Sequence, residues 1–393
     1  MGEAMDGGAV RWRRRGAQGC AGWVLAAALA FAPAAAGTAL AQTSAPAPSS
    51  TDAAMAPAGP PDYAGYDGAA FLGFLDARET GLSAPPRIGL SFGGRTLRAV
   101  LDSGSTGIVV AARLLPDIDR LPVQAPGRVT YTSSGRVMLG RWVVTPVTLS
   151  GADGASVTTD PMPVLAVQEV RCLHAARDCT PNADPRDIAM VGIGYGREKD
   201  AQAQGTPEKN PLLRLAADGR RWRRGYILTA RGVQAGLTAS STRGFALVKL
   251  ARQADGVDWA GTPACLSVER RTPPACGTLL VDTGVGAMFL TLPAAQAGGA
   301  VDSEGRPTLP DGTEIAVRVE PAVNPSAVGA GGARGFDLYS FAVGGPSPVA
   351  PHGVHLHVAP DRVFVNTSFH LLNGFDVLYD AEGGTAGFRP REP

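Results

Sequence analysis

Short apolar runs separated by glycine and proline restrict this chain to β structure. After residue 85 the runs are rich in Val, Ile, Leu and Phe, and helical periodicity is brief, as in AARLLPDI, NPLLRLAA and SFHLLN. The sequence holds 51 Gly and 32 Pro, residues that end strands in turns and oppose helices. We therefore predict an all-β fold of packed sheets or barrels with a few short helices.

The beginning of the chain has the pattern of an export signal. Arginines at 11–15 precede the apolar run GWVLAAALAFAPAAAG, and the small residues ALA precede Gln42. The apolar run is shorter than the roughly 20 residues that a membrane-spanning helix needs. The pattern predicts a signal peptide at 1–41, a mature chain without a membrane span, and a periplasmic or extracellular location.

The segment after the signal differs in composition from the rest. Residues 42–84 begin with a Pro-, Ala- and Ser-rich stretch that has little branched or aromatic apolar surface. Such a composition predicts a flexible tether or a short prosegment. The formal net charge of +1 gives no field that would attract nucleic acid or anionic lipid, so neither is expected as a partner.

Four cysteines of the expected mature chain lie in two close pairs, Cys172 with Cys179 and Cys265 with Cys276. In an oxidising compartment this arrangement favours two local disulfides, each of which would stiffen a hairpin. Zinc binding is the alternative, although neither pair has Cys-x-x-Cys spacing and no histidine pair accompanies them.

Two Asp-[Ser/Thr]-Gly triplets follow apolar runs, in LRAVLDSGSTG at 97–107 and in TLLVDTGVG at 278–286. One triplet alone is an ordinary turn sequence, and chance supplies roughly 0.1 to 0.3 of them in a chain of this length. Here Asp102 and Asp282 occur in the same local pattern, 180 residues apart. Two carboxyls that meet within a few ångström share a proton, so one can act as general base on a water and the other as general acid.

From Arg87 to Pro393 the sequence resembles the pepsin-like aspartic proteases in five blocks that follow the family's order. The blocks are RIGLSFGGRTLRAVLDSGSTG, GRVTYTSSGRVMLGRW, DIAMVGIGYG, ACLSVERRTPPACGTLLVDTG and NTSFHLLNGFDVLYDAEGGTAGFRP. They correspond to the first catalytic loop, the flap, the segment behind the first loop, the second catalytic loop and the closing segment. The resemblance implies a two-lobed β-barrel architecture, with an N-terminal lobe at 85–212 and a C-terminal lobe at 213–393.

The resemblance also implies roles for individual residues. Asp102 and Asp282 would form the catalytic dyad, and Tyr131 would close over the substrate from the flap. The residues that would support the dyad are Ser103, Gly104, Ser105, Thr283 and Gly284. The implied activity is hydrolysis of peptide bonds in peptides or proteins by an activated water, in a monomer and with neither cofactor nor metal.

The second loop departs from the family's pattern. Val285 stands where a hydroxyl normally bonds the outer carboxylate oxygen, and Val365-Asn366 replaces an apolar-Gly step. Loss of that hydrogen bond would leave the shared proton on Asp282. These departures support an alternative function, in which a pepsin-fold protein binds peptides or another enzyme without cleaving them.

Two further stretches have alternative interpretations. The histidines of PHGVHLHV at 351–358 place His355 and His357 on one strand face, which we interpret as solvated, with a metal site as the alternative. The basic run GRRWRRG at 219–225 predicts a solvated segment between the lobes, with contact to an acidic partner as the alternative.

Overall fold

The computed structural model describes residues 61–197, 202–320 and 335–392. Within these ranges almost all regular structure is β-strand, and the helices are single turns. The predicted signal peptide at 1–41 and its cleavage site before Gln42 lie outside the described residues.

Ten strands precede the gap in the described residues that begins at 198. They are β1 (Ala70–Gly73), β2 (Arg87–Ser91), β3 (Leu97–Asp102), β4 (Thr106–Ala111), β5 (Val123–Tyr131), β6 (Arg136–Thr145), β7 (Thr148–Ser150), β8 (Ser156–Thr158), β9 (Met162–Cys172) and β10 (Ala189–Ile193).

Twelve more strands follow in the described residues after that gap. They are β11 (Gly225–Leu228), β12 (Gly232–Ala235), β13 (Ala246–Lys249), β14 (Thr262–Val268), β15 (Ala275–Leu280), β16 (Met288–Leu292), β17 (Glu314–Val319), β18 (Phe336–Ala342), β19 (Val354–Val358), β20 (Phe364–Asn366), β21 (Phe375–Asp380) and β22 (Thr385–Pro390).

The helical segments are short. A single α-helical turn, α1, covers Ala294–Ala297. The 3-10 helices are Ala112–Leu114, Ile118–Arg120, Pro207–Lys209, Pro211–Leu213 and Phe369–Asn373. Across the part of the chain that the structure describes, no helix has the length and apolar character needed to cross a membrane.

The strands form three sheets. A nine-stranded sheet has the order β5-β6-β9-β4-β10-β3-β2-β7-β8, and a seven-stranded sheet has the order β18-β17-β14-β15-β20-β16-β19. The third sheet, β1-β12-β11-β21-β22-β13, takes strands from both ends of the described chain. The predicted all-β, two-lobed fold with a few short helices is confirmed. The lobe limits at 85–212 and 213–393 stay predictions.

The nine-stranded and seven-stranded sheets contain the same five-strand arrangement. In β9-β4-β10-β3-β2, successive neighbours pair parallel, antiparallel, parallel and antiparallel. In β19-β16-β20-β15-β14 the pairing directions are the same. The repeat puts Asp102 at the end of β3 in one lobe and Asp282 just after β15 in the other, so the candidate carboxylates lie at corresponding ends of corresponding strands.

Strand position in the sheet explains the burial pattern. All six residues of β4 are buried, because this strand lies between β9 and β10 in the middle of its sheet. In contrast, β19 lies at the edge of its sheet, and His355 and His357 share one exposed face of it. The predicted common face of these two histidines is therefore confirmed.

Both predicted disulfides are present, Cys172–Cys179 and Cys265–Cys276. The second joins directly paired residues of β14 and β15, and therefore reinforces the hairpin that leads into the loop of Asp282. The zinc alternative for these cysteines is excluded, since all four sulfurs are bonded in pairs.

The predicted tether does not describe the residues after 60. Strand β1 pairs with β12, and Leu72 and Phe74 are completely or almost completely buried in the core. The prediction applied the composition of the stretch before residue 61 to all residues up to 84. The aromatic and branched side chains after residue 60 supply apolar surface that can be buried, so this part can pack into the fold. The earlier part of 42–84 lies outside the described residues.

The basic run at 219–225 is not a wholly solvated segment. The Arg223 guanidinium lies against the completely buried Asp380, with Nη2 donating to Oδ2 at 2.7 Å. The carboxylate also accepts hydrogen bonds from the Tyr63 hydroxyl and from the backbone N–H of Gly383. This ion pair joins the start of β11 to the end of β21 and to the segment before β1.

Replacing Arg223 by Met should lower the free energy of unfolding by about 3–5 kcal/mol, because it leaves the buried Asp380 carboxylate without its counter-ion. Urea unfolding monitored by circular dichroism measures this change. Arg224→Met is the matched control, since Arg224 is the next residue, is largely exposed, and pairs with Glu382 at 3.5 Å. Its expected effect is below about 1 kcal/mol, and equal effects of the two variants would contradict the assignment.

Candidate functional site

The two Asp-[Ser/Thr]-Gly loops meet between the two lobes. Asp102 and Asp282 are only 3% and 6% exposed. The backbone N–H of Gly104 donates to Asp102 Oδ1 at 2.7 Å, and that of Gly284 donates to Asp282 Oδ1 at 2.9 Å. Equivalent hydrogen bonds therefore fix Oδ1, the inner oxygen, of each carboxyl group.

Each glycine makes room for the carboxyl group of the opposite loop. A Cβ on Gly104 would lie 2.3 Å from Asp282 Cγ, and a Cβ on Gly284 would lie 2.6 Å from Asp102 Oδ1. No real side chain tolerates such contacts, so glycine is required at both positions by close approach. The two carboxyl groups are hydrogen-bonding neighbours as a result.

The hydroxyl residues of the triplets hold the two loops together by reciprocal hydrogen bonds. The backbone N–H of Ser103 donates to Thr283 Oγ1 at 2.9 Å, and that of Thr283 donates to Ser103 Oγ at 3.1 Å. Each hydroxyl also donates across the interface, Ser103 to the Val281 carbonyl at 2.7 Å and Thr283 to the Leu101 carbonyl at 2.6 Å. We call these four bonds the interlock.

The outer oxygens of the two carboxyl groups have different donors. Ser105 Oγ donates to Asp102 Oδ2 at 2.5 Å, whereas Asn366 Nδ2 donates to Asp282 Oδ2 at 2.5 Å. The expectation that Val285 leaves Asp282 without this hydrogen bond is wrong, because Asn366 at the end of β20 supplies a donor from another part of the chain. The Asn366 carbonyl oxygen accepts the Ser368 N–H at 3.1 Å, which fixes the orientation of the amide.

The surroundings of Asp102 favour its protonated form. Burial, and then the charge of Asp282, raise the pKa of Asp102 to about 7, although the hydrogen bonds from Ser105 and Gly104 lower it. The pair therefore holds one proton over the range in which an isolated aspartic acid would be fully ionised. The expectation that the shared proton stays on Asp282 depended on a missing donor at Val285, and the position of the proton stays a prediction.

A buried arginine that the sequence did not reveal supports the first loop. Arg197 is 6% exposed, and its Nε–H donates to the Gly104 carbonyl at 2.7 Å. It follows the strand β10, which pairs with β3 directly opposite Asp102. No pattern near Arg197 indicates this contact, because it joins residues 93 apart in the chain.

Tyr131 lies at the end of β5 in a hairpin with β6, the flap hairpin, whose turn spans 132–135. Its hydroxyl oxygen is buried and has no hydrogen-bond partner within the described residues. Burial, and then the charge of Asp102, raise the pKa of Tyr131. Tyr131 therefore lies beside Asp102 and Ser105 of the first loop.

The tip of the flap hairpin is tied to the neighbouring loop Cys172–Cys179, the disulfide loop. The Leu173 N–H donates to the Gly135 carbonyl at 2.8 Å, and the Arg177 N–H donates to the Ser134 carbonyl at 3.0 Å. Arg136 and Asp178 form an ion pair at 2.9 Å. The disulfide loop is closed by one covalent bond and therefore gives the flap tip a firm lateral support.

Together these elements enclose a cleft of about 710 Å³ above the two carboxyl groups. Its walls are the flap hairpin, the disulfide loop, the two catalytic loops and strands β16 and β19. Within the described residues no group of three or more His, Cys, Asp and Glu side chains is arranged to hold a metal ion.

Two histidines lie behind the second catalytic loop. The His352 N–H donates to the Gly286 carbonyl at 2.9 Å, and the ring of the buried His370 lies 4.4 Å from that of His352. Burial, and then the proximity of His352, lower the pKa of His370 to about 4. The sequence analysis did not single out His370, whose burial depends on packing beside the second loop.

His370→Gln should reduce the loss of stability in acid. Between pH 6.5 and about 4 the unfolded chain binds a proton at His370 that the folded protein does not, so wild-type stability falls as the pH falls through this window. Asp102, whose pKa is raised, contributes in the opposite direction in both proteins, and its contribution cancels in the comparison.

Melting temperatures at pH 7 and pH 4.5 measure the effect, and the decrease should be smaller for His370→Gln than for the wild type. His174→Gln is the control, because His174 is exposed on the disulfide loop. Equal acid-induced decreases in all three proteins would show that His370 is not the titrating group.

No family model matches this sequence, and a comparison with curated proteins found no similar protein. A function for this chain therefore depends on the contacts described above.

Proposed function

We propose that this protein is an aspartic endopeptidase that hydrolyses peptide bonds with a water activated by Asp102 and Asp282. One observation carries the proposal: two buried carboxyl groups, on interlocked loops from different lobes, share one proton beneath a cleft. The likeness of five sequence blocks to the pepsin-like family supports it.

The hydrogen bonds of the two carboxyl groups suggest separate roles. Asp282, which accepts bonds from Gly284 and Asn366, is the base that takes a proton from the water as its oxygen attacks the peptide carbonyl carbon. Asp102, with its raised pKa, gives its proton to the carbonyl oxygen. When the C–N bond breaks, the nitrogen receives the proton from Asp282, and Asp102 recovers one from the collapsing diol.

The non-cleaving alternative has less support than the enzyme. It depended on a second loop without a donor to the outer oxygen of Asp282, and Asn366 fills that position. A location outside the cytoplasm is part of the proposal, and the two disulfides support it. A monomer that acts on peptide or protein substrates stays an expectation.

Asp102→Asn and Asp282→Asn should each reduce kcat/KM for an unfolded protein substrate by at least about 10²-fold, because each removes a proton-transfer group. Wild-type activity should fall as the pH rises through about 7, where Asp102 loses the proton it must donate. Cleavage of denatured casein between pH 3 and pH 8 measures both effects. Asp153→Asn, on an exposed turn, is the control, and full activity in either dyad variant would end the assignment.

Asn366→Leu tests whether the amide replaces the expected hydroxyl. Removing this donor weakens the ionised form of the dyad, so the acid limb of the pH–rate profile should move up by about one to two pH units. In the Asn366→Leu background, Val285→Thr should move the acid limb part of the way back to its wild-type pH. Position 285 lies three residues after Asp282, as Ser105 lies three residues after Asp102, so a hydroxyl there could replace the lost donor. An unchanged acid limb in Asn366→Leu would show that the amide has no influence on the dyad.

A further inference from the structure

The cleft above the dyad is lined by an excess of basic side chains. The basic residues in its walls are Arg136, Arg177, Arg197, Arg362, His355 and His357. The acidic ones among the described lining residues are the dyad, which holds one proton, and Asp178, which is paired with Arg136. Near Arg177 the cleft therefore favours a negatively charged occupant.

One group of residues spans the cleft from lobe to lobe. The Arg177 guanidinium, on the disulfide loop, lies 5.6 Å from the centre of the Phe289 ring on β16. The His355 ring, on β19, stacks on the same phenyl ring with centroids 4.9 Å apart. Phe289 thus contacts one basic group from the disulfide loop and one from β19.

Among the described residues, no carboxylate forms an ion pair with either of these two basic groups. The Arg177 guanidinium donates a 3.4 Å hydrogen bond to the Ser133 carbonyl. Burial, and then the charge of Arg177, lower the pKa of His355. Arg177 therefore disfavours the charged form of His355, and an anion beside both groups would favour that form.

We propose that Arg177 and His355 form a subsite for a carboxylate side chain of the substrate, so that the protein selects peptides with Glu or Asp at one position near the scissile bond. This inference rests on the proposed peptidase function. The guanidinium can donate charge-assisted hydrogen bonds to the carboxylate, and the partly enclosed cleft strengthens them. Phe289 orients both groups, so the arrangement is formed before the substrate arrives.

Quenched fluorescent peptides that differ only by Glu or Gln at one position, scanned across eight positions, test the subsite. We expect kcat/KM to favour Glu over Gln by about tenfold at one position, as a charge-assisted hydrogen bond predicts. The preference should fall as salt rises from 0.05 to 1 M, because ions screen the attraction. A Glu-to-Gln ratio near one at every position would overturn the subsite.

Variants identify the residue that provides the preference. Arg177→Gln should bring the Glu-to-Gln ratio close to one, and Arg177→Lys should retain part of it. Arg171→Gln is the matched control, because Arg171 lies just before the disulfide loop, is exposed, and pairs with Glu169 at 2.7 Å outside the cleft. The ratio within each variant is independent of any change in flap position. An unchanged ratio in Arg177→Gln would overturn the assignment.

A binding measurement separates the subsite from the peptidase function. Labelled peptides with a hydroxyethylene group in place of the scissile amide, in Glu and Gln forms, are titrated with the wild-type protein and followed by fluorescence anisotropy. Tighter binding of the Glu form without cleavage of any peptide would support the subsite and overturn the hydrolytic function. Cleavage with equal binding of both forms would overturn the subsite alone, and neither cleavage nor a binding preference would overturn both.

Discussion

The interlock between Ser103 and Thr283 is the constraint on which the candidate site depends. Each loop ends a buried strand with backbone N–H groups that need acceptors, and each receives its acceptor from the side chain of the opposite loop. Neither loop is therefore complete within its own lobe. Because the carboxyl groups are attached to these loops, their separation is set by the same hydrogen bonds that join the lobes.

The two lobes repeat a strand arrangement, but different donors bond the outer oxygens of their carboxyl groups. In the first lobe the outer oxygen is bonded by a hydroxyl three residues further along the chain, and in the second by an amide 84 residues further along. The repeat explains why the carboxyl groups meet symmetrically, and the different donors explain why they need not share the proton equally. Two aspartates at equivalent positions of the repeat thus have different surroundings.

Features encoded by short stretches of sequence were predictable, and features made by distant contacts were not. The strands, the triplets and both disulfides follow from local composition and spacing. Asn366 was interpreted as a loss because its effect on Asp282 depends on the pairing of β20 with β15. Likewise β1 was assigned to a tether because its partner β12 lies about 160 residues away. The burial of Arg223 follows from an equally distant carboxylate, Asp380.

The attachment of the flap tip to the disulfide loop has a consequence for what can enter the cleft. A free hairpin can swing away alone, but here the tip would have to break its hydrogen bonds to the backbone N–H groups of Leu173 and Arg177 or carry the disulfide loop with it. Wide opening of the flap hairpin therefore costs hydrogen bonds, whereas an extended peptide strand can enter the cleft lengthwise beneath the closed flap hairpin. We expect such a geometry to admit unstructured tails and denatured polypeptides and to exclude compact folded domains by size.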